Sequence, residues 1–304
     1  MNEKEILITG TGAMACLFAA RLAPFTNVTM LGTWGQAIAE LKEKGVRIVE
    51  ADGTEQSHPV MATSSVKDCA GIHYAIVLVK SWQTERVAEQ LSKCLHPEGI
   101  AITLQNGVGN LETLQQALGY ERAALGVTTS GATLLGPGRV RVGGVGVTHI
   151  FPHPKLSKVI DYLKKAGFEI HASDDLESLI WGKLVVNAGI NPLTAILQVP
   201  NGELLNLPDA QLLMSAAAEE VAVIARRKGI ELPYNDPVDQ VAEVARKTAP
   251  NFSSMYQDVQ RGAPTEIDAI CGVVVREGQK LGEPTPVNET LWHLVRALAS
   301  REGE

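Results

Sequence analysis

Cysteine is scarce in this chain and poorly placed for either a metal or a disulfide framework. Four occur in 304 residues (Cys16, Cys69, Cys94, Cys271), with no CxxC pair and no metal-like spacing. The histidines are scattered. His149 and His153 lie four apart, but Pro152 and Pro154 forbid the helix that would converge them. No metal site is expected. Positive charge is also lacking: 27 Lys+Arg stand against 34 Asp+Glu, a net charge of −7, which argues against a surface that coats nucleic acid. No uninterrupted apolar run approaches the ~20 residues of a membrane span, so no membrane partner is expected. The opening MNEKEILITG carries acidic residues and enters a strand pattern at once, unlike a signal peptide. The chain reads as soluble and cytoplasmic.

What is present is ordinary globular material. Hydrophobic residues make up 45% and charged residues 20%, which excludes a disordered chain. The length corresponds to roughly two domains of ~150 residues. Charge divides unevenly between them: residues 1–172 sum to +1 and residues 173–304 to −8. A near-neutral first half can accept a polyanionic cofactor, whereas phosphate binding is disfavoured in the acidic second half.

Residues 1–172 alternate short apolar runs with amphipathic stretches. Ile6 to Thr9, Val28 to Leu31, Ala75 to Val79 and Ala101 to Leu104 are nearly uninterrupted, as suits strands buried on both faces. Helices are expected over Ala13 to Leu22, Gly35 to Lys44, Gln83 to Leu95 and Leu156 to Ala166, with a short strand near Ile170. Residues 123–150 are rich in Gly, Val and Thr, with GPGR (Gly136 to Arg139) as a hairpin turn, and are expected to extend the sheet in antiparallel fashion. From residue 173 the periodicity turns helical to Glu304, with Ser173 as an N-cap and Asp174 and Asp175 as an acidic first turn. The expected fold is an α/β N-terminal Rossmann-type doubly wound sheet (1–172) plus an all-α C-terminal domain (173–304).

GTGAMA places Gly10, Gly12 and Ala15 directly after a strand and at the start of a helix. The first glycine permits the turn, the second admits a pyrophosphate, and the small third residue lets helix and strand pack. A merely structural glycine turn is the weaker alternative. A NAD site usually has an acid at the end of the second strand, and this chain has Gly32, Thr33 and Trp34 there, with no acid before Glu40 and no arginine for a 2′-phosphate. Thr33 suits either group. Trp34 is a candidate to stack on adenine or a half-buried surface aromatic.

Two further strand ends carry Lys80, Ser81, Trp82, Gln83 and Gln105, Asn106, Gly107, where ligands bind in open α/β sheets; Asn106-Gly107 alone reads equally as a turn. In LIWGKLVVNAGINPLTAI, Lys183, Asn187 and Asn191 are spaced i, i+4, i+8 and form one helical stripe. Asparagine is a poor helix former, so a polar site wall explains the stripe better than a solvated face does. NFSSMYQDVQRGAPTEID adds Asn251, Ser253, Ser254 and Glu266; composition alone favours Glu266 as a helix-start carboxylate.

Taken in order from about residue 6 to 270, GTGAMA, the Lys80/Gln83 strand end, QNGVG, WGKLVVNAGINPLTAI with PNGEL, and SSMYQD…TEID resemble the ketopantoate reductase (2-dehydropantoate 2-reductase) family. The resemblance implies a two-domain NAD(P)H-dependent enzyme of pantothenate and coenzyme A biosynthesis, with its active site in the interdomain cleft. It implies Lys183 as general acid. Glu266 and Ser254, with Asn187 and Asn191, would bind the substrate's hydroxyl and carboxylate end, and Asn201 and Asn251 would support the cleft. Gly10, Thr11, Gly12, Ala13, Met14, Ala15, Thr33, Trp34, Lys80, Gln83, Asn106 and Glu266 would line the cofactor site, with Asn106 on the nicotinamide ribose or the substrate. The family commonly has a basic residue where this chain has Gly32-Thr33; NADPH is the expected cofactor, and NAD is allowed by that departure. The partner is a small 2-keto acid, and a homodimer is left open. Two alternatives remain: a reductase of another branched 2-keto acid, and, from a different class, a non-catalytic dinucleotide sensor.

Overall fold

The computed structural model describes residues 5–144 and 146–300. Residues 1–4 and 301–304, which the expected domains include, lie outside the described residues. The chain forms two compact units, one of residues 1–105 and 109–176, the other of 106–108 and 177–304. The division thus falls at Leu176/Glu177, after the expected 172, and the short segment Asn106–Val108 belongs with the helical unit.

The first unit runs β1 (Ile6–Thr9), α1 (Ala13–Leu22), β2 (Val28–Leu31), α2 (Gly35–Lys44), β3 (Val46–Val49), β4 (Glu55–His58), β5 (Met61–Thr63) and β6 (Ile72–Val77). It continues with α3 (Thr84–Cys94), β7 (Leu95–Thr103), α4 (Asn110–Leu118), β8 (Ala123–Thr128), β9 (Gly131–Gly136), β10 (Arg139–Gly144), β11 (Val147–Ile150), α5 (Ser157–Lys165) and β12 (Glu169–Ala172). An eight-stranded sheet has the order β12-β11-β8-β7-β6-β1-β2-β5, parallel from β8 to β5, with β11 antiparallel to β8. The chain winds outward from β1 through β2 and returns to β6 on its other side, so the strand order reverses at β1/β6. Ligands bind at such a reversal, outside the C-terminal strand ends.

The apolar runs are continuous because both faces of the sheet are covered. Ile6 and Ile8 on one face pack with α1 and α5; Leu7 on the other packs with α3 and α4. Helix α1 is apolar nearly all round, with seven buried residues from Ala15 to Leu22, and such a helix must be enclosed. A second sheet, of order β4-β3-β10-β9, encloses it, through Val46, Ile48 and Val140.

That second sheet corrects the expectation for residues 123–150. Gly136 to Arg139 does turn an antiparallel hairpin, but β10 pairs in parallel with β3, so β9 and β10 leave the main sheet; only β8 and β11 continue it. Strand β4 had no signal because it is a polar, largely exposed EQSH; β3 (VRIV) is apolar and buried but was not among the expected strands. The β6 ladder ends at Val77 rather than Val79, because β1 beside it gives way at Gly10 to the glycine turn.

The second unit is helical: α6 (Leu176–Leu197), α7 (Pro208–Arg227), α8 (Pro237–Lys247), α9 (Ser254–Gln260), α10 (Cys271–Leu281) and α11 (Pro286–Ser300). Because α6 starts at Leu176 with Glu177 as its first-turn acid, Ser173 is not its N-cap; its N–H instead continues the strand edge to the Ile150 carbonyl at 3.1 Å. By length and composition α6 is apolar enough to cross a membrane. Its place in the core accounts for that: 67% of its most apolar window is buried, and Trp181, Leu184, Val185, Ala188 and Ile190 anchor the unit's hydrophobic cluster. Two glycines permit close packing: a Cβ at Gly182 would lie 2.7 Å from Pro233, and one at Gly189 2.8 Å from Val241.

Candidate active site

The turn after β1 is built as a dinucleotide turn requires. Gly10 has φ +111, and a Cβ there would sit 3.3 Å from the Leu78 carbonyl oxygen and from Val79, so any larger residue would be strained and tightly packed. Gly12 differs. Its backbone is extended (φ −81, ψ −173), open to any residue, and a Cβ there would meet nothing within 4 Å. The fold does not demand this glycine; the open space beside it suits the close approach of a ligand. Helix α1 has no side-chain cap, and its first bond runs from the Cys16 N–H to the Gly12 carbonyl (2.9 Å), so the N–H groups of Ala13, Met14 and Ala15 have no acceptor inside the helix. Ala15 is wholly buried between helix and strand. These residues fit a pyrophosphate at the helix N-terminus.

Neighbouring positions frame the same strand ends. Thr11 is buried, and a Cβ at Gly32 would fall 2.6 Å from its methyl group, so Thr11 dictates glycine at 32. Thr33 and Trp34 are exposed, Trp34 at 39% as the residue preceding α2. Lys80 opens a 3-10 turn over Ser81–Gln83, where the Gln83 side-chain oxygen accepts from Arg86 at 3.1 Å. Gln105 braces this edge: its Nε2 donates to the Val79 carbonyl and to Thr84 Oγ1, both at 2.9 Å, and the Thr84 hydroxyl donates to Asn110 at 2.8 Å.

In the second unit, Lys183, Asn187 and Asn191 occupy one face of α6, with Asn191 buried and the other two partly so. Burial pushes the Lys183 ammonium down from 10.5 to about 8, while the charge of Glu266 opposes that fall. Glu266 is only 6% exposed, and its side chain does not cap the 3-10 turn that it opens (Ile267–Ala269). The helix-start role favoured by composition is therefore not filled by the Glu266 side chain, whose charge is instead felt at Lys183. Asn106 comes to this turn through its neighbour: Gly107 has φ +87, and a Cβ on it would lie 2.9 Å from both the Cβ and the carbonyl oxygen of Ala269.

The remaining expected residues divide. The Asn201 N–H donates to the Asn251 carbonyl at 2.9 Å, its Nδ2 donates to Thr248 at 2.9 Å, and Gly202 packs against Ala249. Asn201 and Asn251 thus pair residues 201–202 with 248–251, and the Asn251 side chain is exposed. Ser254 is exposed in the first turn of α9. The buried serine is Ser253, whose oxygen caps α9 by accepting the Tyr256 N–H at 3.1 Å and accepts the Thr194 hydroxyl at 2.7 Å. Ser253 was among the candidates of this segment but the role went to Ser254, although a Ser before Ser-Met-Tyr is an N-cap signal; Thr194 went unidentified, since nothing local points to it. Also unidentified was Tyr234, whose hydroxyl donates to the Gly182 carbonyl at 2.8 Å, one residue before Lys183. A surface groove of about 570 Å³ between Pro200, Leu205, Arg246 and Ala249 includes none of the expected site residues.

Comparison with known proteins shows the family. The family model described as ketopantoate reductase PanE/ApbA matches residues 6–155, and its C-terminal counterpart matches 175–299. A 2-dehydropantoate 2-reductase of Archaeoglobus fulgidus is 36% identical over 306 residues, covering 99% of each chain. One of Halobacterium salinarum is 32% identical, covering 98% of this chain and all of its own. Among solved structures, a PanE/ApbA family ketopantoate reductase from Ralstonia eutropha superposes with a TM-score of 0.92 at 30% identity, over 99% of this chain and 100% of that one. D-mandelate dehydrogenase with NADH and anilino(oxo)acetate superposes with a TM-score of 0.91 at 27% identity, over 98% and 99%. With both family models matched in order and relatives aligned end to end, this chain belongs to the ketopantoate reductase family.

Proposed function

We propose that this chain reduces 2-dehydropantoate (ketopantoate) to pantoate with a nicotinamide dinucleotide as reductant. The observation that carries the reading is the Lys183–Glu266 pair: an ammonium brought near neutrality by burial and kept chargeable by a carboxylate on another segment of the same unit. The relatives named 2-dehydropantoate 2-reductase support the choice of substrate.

The dinucleotide is held by Gly10 to Ala15, with Thr33, Trp34, Lys80 and Gln83 along the strand ends. When bound, its dihydronicotinamide supplies the hydride. Reduction of the 2-keto carbonyl leaves negative charge on oxygen. Lys183 stabilises that charge and donates the proton that completes the alcohol; an acid with a pKa near the working pH is suited to both tasks. Glu266 keeps Lys183 protonated and accepts the substrate's hydroxyl, while Asn187, Asn191 and Ser254 orient the carboxylate end. Asn106 binds at the nicotinamide ribose or the substrate beside it. No step calls for a metal, and among the described residues no cluster of three or more His, Cys, Asp or Glu is placed to hold one.

NADPH is the preferred reductant, by a smaller margin than in relatives with a basic residue after the second strand, because Gly32-Thr33 offers no positive charge to a 2′-phosphate. Steady-state assays with ketopantoate, comparing NADPH and NADH, test both parts. Turnover of an aryl 2-keto acid with none of ketopantoate would overturn the substrate; equal or better kcat/KM with NADH would overturn the cofactor preference.

A further inference from the structure

We infer that Trp292 is a positioning residue for Glu266, acting through Asp268; this rests on the reading of Glu266 as a substrate ligand. Glu266 stands on very little regular structure. The turn after it is a three-residue 3-10 segment, in which the Glu266 carbonyl accepts from the N–H groups of Ala269 (3.0 Å) and Ile270 (3.1 Å). Such a turn has too few internal bonds to fix a side chain at its first residue, so its external contacts decide where Glu266 points.

Ile267 and Ile270 pack into the unit's core, and the exposed Asp268 adds two polar contacts. The Trp292 indole N–H donates to Asp268 Oδ1 at 2.7 Å, and the Arg276 guanidinium donates to the Asp268 carbonyl at 2.9 Å. The indole is itself held: a Cβ at Gly272 would lie 3.1 Å from its ring, and Arg296 sits 5.4 Å from the ring centroid on the same helix. Helix α11, which carries Trp292, is fixed at its start by Glu220 of α7, whose carboxylate accepts the N–H groups of Val287 and Asn288 at 2.8 Å each. Asn288 Nδ2 adds a bond to the Ala217 carbonyl at 3.0 Å. A series of hydrogen bonds therefore runs from α7 through α11 to the turn of Glu266. Gly107 abuts the last residue of the same turn, so the placement of Asn106 depends on this series as well.

Trp292→Phe keeps an aromatic ring between Gly272 and Arg296 and removes the N–H donor. The expected result is a KM for ketopantoate raised about tenfold, since small displacements of a binding group are costly. Thermal stability, and the NADPH dissociation constant measured by fluorescence, should be unchanged. Asp268→Asn retains the acceptor oxygen and should keep the normal KM, whereas Asp268→Leu should reproduce Trp292→Phe. In a Glu266→Ala background, Trp292→Phe should raise KM no further. If Glu266→Ala raises KM but Trp292→Phe does not, or if the two effects simply add, the positioning role is overturned and the functional reading stands. If Glu266→Ala leaves KM unchanged, that reading fails and takes the positioning role with it.

Discussion

The charge of Glu266 works against the desolvation of Lys183, 83 positions earlier in the chain, and the balance leaves the Lys183 ammonium with a pKa of about 8. Alone, a buried lysine is driven neutral; with a carboxylate in reach it stays a usable acid at physiological pH.

This balance sets a pH dependence. Reduction needs the ammonium, so kcat should decline as pH rises through about 8. Glu266→Gln removes the charge that sustains protonation and should move the decline to lower pH. Stability has the opposite sign. Between about 8 and 10.5 the unfolded chain holds the Lys183 proton and the folded chain does not, so the contribution of Lys183 to unfolding free energy grows with pH across that window. Rate–pH profiles of both proteins check the first statement, and denaturant titrations at several pH values the second.

Lys183→Met retains length and an apolar stem, so packing on α6 should survive. Loss of a general acid should lower kcat by roughly 10²–10⁴. Single-turnover reduction, with cofactor binding titrated on the same variant, reads the effect; intact binding with near-normal hydride transfer would refute the assigned role.

The two glycines of the dinucleotide turn should behave differently. A Cβ at Gly12 meets nothing in the protein, so Gly12→Ala should leave thermal stability unchanged and weaken NADPH binding about tenfold, through loss of close phosphate approach. Gly10→Ala meets Leu78 and Val79 at a φ of +111 and should destabilise the fold by about 1–3 kcal/mol. Calorimetry and fluorescence titration of both variants separate the two roles.

At the end of β2, Thr33→Arg should raise the preference for NADPH over NADH by about tenfold or more, the worth of one charge-assisted contact to phosphate. The ratio of kcat/KM with the two reductants is the measurement, and an unmoved ratio would exclude position 33 from the 2′-phosphate site.

Thr194→Val removes a buried hydroxyl that donates to Ser253 at 2.7 Å while conserving volume. Ser253 still accepts the Tyr256 N–H at 3.1 Å, so the loss should be about 1 kcal/mol, seen as a fall of a few degrees in Tm.

Much of the first unit was legible because its signals are local. Apolar runs at Ile6 to Thr9 and Val28 to Leu31, each followed by glycine, became strands with those bounds, and Ala13 to Leu22 became the helix between them. Lys183, Asn187 and Asn191 share a face because a helix repeats every 3.6 residues, whatever it packs against. Less visible were β3, which pairs with a hairpin strand about 90 residues later, and β4, a polar EQSH at the sheet edge that pairs only with β3.

The sequence by itself therefore determined β1, β2 and the helix between them, the glycine turn that opens α1 and the polar stripe on α6, since all depend on residue type and spacing along one segment. Only the tertiary structure decided that Ser253 rather than Ser254 is buried, that Asn106-Gly107 joins the helical unit beside Ala269, and that Glu266 influences Lys183 instead of capping its own turn. The reason is physical. Periodicity says which face of an element is buried but not against what, and burial, desolvation and the pKa of Lys183 are set by the neighbours that distant segments provide.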